Sequence, residues 1–63
     1  MKLKISIRLD NSAFVDQMNG AEISRILNHI ANQTQNHNWN VGDGGNIRDI
    51  NGNLVGEFKI VKG

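Results

Sequence analysis

Residues 2–10 alternate strictly, with Leu3, Ile5, Ile7 and Leu9 falling on one side and Lys2, Lys4, Ser6, Arg8 and Asp10 on the other. Successive side chains of an extended chain point to opposite faces, so this pattern predicts a half-buried first strand. Asn11 and Ser12 break the alternation. Phe14, Val15 and Met18 then bring apolar weight to a connection with room for a helical turn that covers one end of the core. From Ile23 the period changes: Ile23, Ile26, Leu27 and Ile30 recur at the i, i+3, i+4, i+7 spacing of a helix with one apolar stripe. Asn19 stands three residues ahead of Glu22 and is the expected N-cap. The polar face carries Ser24, Arg25, Asn28, His29 and Asn32, and the pattern fades through Gln33, Thr34, Gln35 and Asn36 after about four turns.

Residues 36–46 are polar and glycine-rich, with Trp39 as their large apolar group, and predict a mobile loop. Asn51-Gly52 between two β-prone runs then signals a hairpin. Asp49 is placed to accept backbone hydrogen bonds at the first turn position, and Gly52 to adopt the left-handed conformation of a turn followed by a bulge. In the last strand Leu54, Phe58 and Ile60 are expected on the core side with Gly56, and Val55, Glu57, Lys59 and Val61 on the other. Gly56 reads either as a close approach to the helix or as a bulge. A one-residue difference in the turn exchanges Ile47 with Arg48 on the core side, so the register of the second strand stays open. The order strand, helix, strand, strand predicts a single α+β domain over residues 1–63, a three-stranded antiparallel sheet with the helix on one face. Its core is expected where the first strand, the helix and the last strand meet, around Leu3, Ile26 and Phe58.

A chain of 63 residues lies near the lower limit of independent stability. It has no cysteine, which removes disulfides and thiolate metal sites and points to a reducing compartment. No apolar run approaches the ~18 residues of a membrane span, and the alternation of residues 1–4 is unlike a signal peptide, so the expected location is the cytoplasm. A formal charge of +1 provides no global field for nucleic acid or membrane, which leaves local patches to make any such case.

The chemistry is sparse. Ser6, Ser12 and Ser24 have no evident His and Asp partners, and Asp10, Asp16, Glu22, Asp43, Asp49 and Glu57 show no catalytic pairing, so no enzyme activity is expected. Val41-Gly42-Asp43-Gly44-Gly45-Asn46 lacks the Lys-Ser/Thr ending of a phosphate loop and the spacing of a calcium loop. His29, His37 and Asp43 lack the tight spacing of a metal site, and no cofactor is implied.

The binding candidates are more specific. Trp39 either folds back over the core with its indole N–H on a backbone oxygen or serves as a partner-binding anchor beside Asp43, with Arg25, Asn28, His29 and Asn32 as a polar rim. The sheet face away from the helix should carry Lys2, Lys4, Arg8 and Lys59 around Val55 and Val61. That mixture fits a homodimer hiding the two valines, an acidic partner, or, with Lys62, a phosphate backbone. It lacks aromatic groups to stack unpaired bases.

Arg48-Asp49, Asn51-Gly52-Asn53 and Val55-Gly56, in that order, resemble the ending of small phage and prophage accessory proteins. The resemblance covers about fifteen residues closely and is largely turn chemistry. It carries over no catalytic or binding residue. What it implies is context: a partner that is a host protein or complex, antiviral defence components such as CRISPR effectors included, met in the host cytoplasm and blocked sterically. Nucleic-acid binding and a homo-oligomeric structural role are the alternatives.

Overall fold

The computed structural model describes residues 1–15 and 19–63. Asp16, Met18 and the side chain of Val15, named above, lie outside what is described. The elements are β1 (Lys2–Ile7), α1 (Ser12–Val15), α2 (Asn19–Thr34), β2 (Gly44–Arg48) and β3 (Leu54–Val61). The strands form one antiparallel sheet in the order β1-β3-β2, so the last strand inserts between the first two. The α+β architecture therefore stands as the residue pattern predicts.

Asn19 is the first described residue of α2, and the residues ahead of it lie outside what is described. The polar connection is shorter than expected, because Gly44 and Gly45 already belong to β2. It is also tied down: the Gly42 N–H donates to Ile60, the Asp43 N–H to Asn40, and the Ile60 N–H to Asp43. At the hairpin, the Gly52 N–H donates to the Asp49 carbonyl and the Asp49 N–H to the Asn53 carbonyl, with Gly52 at φ 85°. This is the turn-plus-glycine geometry that Asp49 and Gly52 foretell.

The register is settled by an irregularity. Arg48 pairs with Leu54 and Ile47 with Gly56, so Val55 is an extra residue on β3. Such a bulge breaks the alternation of faces. Val55 thereby turns into the core at 2% exposure, while Leu54, expected inside, is exposed. Ile47 is buried and Arg48 is not. Gly56 serves the bulge and a close approach to β1, not the helix: a Cβ there would collide with the Ser6 carbonyl oxygen.

The core consists of Phe14, Ile26, Ile30, Ile47, Val55 and Phe58, with Ile7, Ala13, Ile23 and Trp39 packed against it. Each fully buried large side chain contributes roughly 1.5–3 kcal/mol. Leu3 is not part of this cluster, contrary to expectation, and β1 joins it only through Ile7. The reason is width. Strands about 4.8 Å apart make a three-stranded sheet broader than one helix, whose diameter is about 10 Å. α2 borders β2, and Leu3 and Ile5 of β1 are left half-exposed. The molecule is extended, measuring 36 × 21 × 17 Å. Its accessible surface of 4534 Å² exceeds the about 4,000 Å² usual for this mass.

Candidate binding surface

Glu22 and Asp49, the two buried carboxylates among the described residues, hold the helix and hairpin together. Glu22 accepts two hydrogen bonds from the Arg25 guanidinium, at 2.7 and 3.0 Å, and one from the Ile50 N–H at 2.8 Å. The Arg25 bond holds the Glu22 carboxyl below its ordinary range, helped by the Ile50 N–H and opposed by burial. Arg25 also donates to the Arg48 carbonyl at 3.3 Å. Asp49 accepts from the backbone of Asn51 and Asn53 and from the side-chain amides of Asn53 and Asn11. Burial pushes the Asp49 carboxyl up, but those hydrogen bonds outweigh it and hold the carboxyl below its usual value. In the sequence Glu22 reads as a helix-start residue and as a carboxylate without a catalytic partner. Its i, i+3 spacing to Arg25 was the available signal, while its reach to Ile50 depends on the tertiary fold.

Several predicted binding residues are thus occupied within the chain. Arg25 is committed to Glu22 and Arg48. Trp39 follows the first of its two readings: its indole N–H donates to the Thr34 carbonyl at 3.2 Å, and its ring meets Phe58 edge-on at 5.6 Å between centroids. The His37 ring meets Trp39 edge-on at 4.2 Å between centroids. Asp43 accepts the Asn40 N–H at 2.9 Å and lies 3.8 Å from His37 Nε2, so it caps its own loop. Val55 lies in the core, which removes it from any dimer surface. Val61 stays half-buried on the outer face. His29 and Asn32 are exposed on α2, with His29 bordering β2 beside Gln33.

Lys2, Lys4, Arg8 and Lys59 are all exposed, and Lys4 stands directly across from Lys59. The outer face also holds two shallow hollows, of about 300 Å³ beside Gly44, Asn46 and Lys59 and about 240 Å³ beside Ser6, Arg8 and Gly56. Among the described residues no three His, Cys, Asp or Glu side chains gather at a metal-sized site, and no helix is long and apolar enough to cross a membrane.

The feature missed in the sequence is the uncovered half of the helix-side face. Leu3 lies opposite Ile60 and Ile5 opposite Phe58, so both sit on the same face as the core. Yet they are 47% and 40% exposed. Arg25, His29 and Gln33 mark the flank of α2 that borders β2. Leu27, two residues from Arg25 and therefore about 200° around the helix, is on the flank away from β2 and is 44% exposed. Leu3 and Ile5 thus form a half-exposed apolar strip along an outer strand, next to buried Ile60 and Phe58. The signal available was the ratio of one helix to three strands.

Compared with family models, with curated proteins and with solved structures, the chain finds no match in any of the three.

Proposed function

We propose that this chain is a non-catalytic binding protein that modulates a host macromolecular complex by covering part of its surface. The observation that carries the reading is the apolar strip of Leu3 and Ile5 on β1, half-exposed on the face that elsewhere holds the core. Isolated exposed apolar groups are ordinary, whereas a contiguous strip next to polar side chains marks an interaction surface. The shallow, glycine-formed hollows suit contact with a broad surface better than enclosure of a small substrate. The resemblance of the closing hairpin to phage accessory proteins makes an antiviral defence complex in the bacterial cytoplasm the partner class of choice.

The test is affinity capture from bacterial lysate with the tagged protein and its Leu3→Asp/Ile5→Asp twin, analysed for both protein and nucleic acid. A defined protein complex retained by the first and lost by the second supports the reading. Nothing specific retained, or the same material retained by both, rejects it.

The Lys4–Lys59 juxtaposition favours a second reading, in which the outer face follows a phosphate backbone through Lys2, Lys4, Arg8, Lys59 and Lys62. Like charges directly across a sheet repel unless an anion lies between them. That reading requires affinity for labelled duplex that falls steeply between two salt concentrations.

A further inference from the structure

We infer that the outer edge of β1 accepts an extended segment of a partner protein as a fourth strand, one whose side chains alternate between apolar and acidic. This rests on the binding reading above and specifies its mode.

Backbone polarity comes first. The Val55 carbonyl accepts from Arg8 on the β1 side, while Ile60 exchanges both of its backbone hydrogen bonds with Gly42 and Asp43 on the β2 side. In an antiparallel ladder these directions alternate. Given the pairs Lys2 with Val61, Lys4 with Lys59 and Ser6 with Glu57, the even-numbered residues of β1 bond to β3. Leu3, Ile5 and Ile7 therefore direct their N–H and C=O groups outward, and among the described residues no strand meets them. An open row of this kind is a template for a further strand.

Side chains then define the occupant. On the helix side, an added strand would lay alternate residues beside Leu3 and Ile5, where apolar groups fit without loss of hydration. On the outer side, its other residues would neighbour Lys2, Lys4 and Arg8. Carboxylates there gain from three cations, whereas cations are repelled. A second copy is disfavoured by the same arithmetic of signs: antiparallel self-pairing centred on Ile5 sets Lys2 against Arg8 twice. The outer edge of β2 offers less, because Gly44 and Gly45 present no side chains and the Arg48 carbonyl is taken by Arg25.

The experiment uses the full chain with three eight-residue peptides: alternating glutamate and valine, alternating lysine and valine, and the glutamate–valine composition in two blocks. Backbone amide NMR with hydrogen exchange is the readout. The alternating acidic peptide should slow exchange at Leu3, Ile5 and Ile7 and bind on the order of tenfold tighter than either control, with the margin shrinking as salt rises. Lys2→Glu/Lys4→Glu should reverse the preference toward the lysine peptide. Ile5→Pro should abolish binding while leaving the β1–β3 ladder intact, because the N–H it removes points outward.

Equal binding of the acidic and basic peptides, protection at β2 instead of β1, or dimerisation through β1 in sedimentation at high concentration overturns the proposal. If capture from lysate depends on Leu3 and Ile5 but no peptide protects β1, strand addition fails and the binding reading stands. If capture itself fails, both fall.

Discussion

At the scale of single residues, two buried carboxylates set the stability of this small domain. Glu22 and Asp49 both have carboxyls held below their ordinary values in the folded chain. A carboxylate whose folded pKa is depressed stabilises the fold fully above its unfolded value, near pH 4, and loses that contribution as pH falls through the folded value. The protein should therefore lose stability as the pH falls below about 4. Glu22→Gln should flatten that acid limb and lower stability at neutral pH by about 2 kcal/mol, the scale of hydrogen bonds to a charged group. Denaturant titration at a series of pH values checks both. Arg25→Ala should cost less, about 1 kcal/mol, because that side chain is 40% exposed and water screens it. Gly52→Ala at φ 85° should lower the melting temperature through backbone strain at the turn, and Gly52→Asn, which tolerates that region better, by less.

At the scale of elements, what sequence reading captures depends on how local the cause is. The alternation of β1, the period of α2 and the Asp49–Gly52 turn are set by neighbours a few residues apart, and each appears where the pattern places it. The bulge at Val55 is different. It arises from fitting a turn of one length between Ile47 and Gly56, and that fit moves Val55 into the core and Leu54 out of it. Strict alternation along β3 could not anticipate the switch, although Gly56 was its trace in the sequence. The burial of Trp39 was legible as one of two readings, since an indole with a nearby backbone acceptor closes over a core as readily as it grips a partner. Gly56→Ala should destabilise by about 3 kcal/mol, as an overpacked contact does, because its Cβ falls on the Ser6 carbonyl oxygen of the adjacent strand. Thermal melts followed by circular dichroism measure this directly. Ile26→Ala, at 2% exposure, should also cost about 3 kcal/mol through the cavity it leaves. Leu3→Ser should cost under about 1 kcal/mol, and this contrast separates the core from the open strip.

At the scale of the whole molecule, one helix is asked to cover three strands and covers two. The first strand therefore keeps apolar side chains and outward backbone groups in solvent. The candidate site was therefore legible only in part. Lys2, Lys4 and Arg8 were identifiable as an exposed row, but Leu3 and Ile5 read as core because alternation tells which face a residue occupies and not whether that face is covered. Long, flat edges invite pairing, and proteins commonly protect them with lysine. Lys2 and Lys4 stand on this strand, and under the proposed strand addition they would repel other copies of the chain and attract an acidic segment.

Hydrogen exchange of the free protein, measured residue by residue along β1, tests the open edge most directly. Lys4, Ser6 and Arg8, whose N–H groups face β3, should exchange slowly, and Leu3, Ile5 and Ile7 at close to unprotected rates. Uniform slow exchange across all six amides would contradict the account, because it would mean that the edge is already closed.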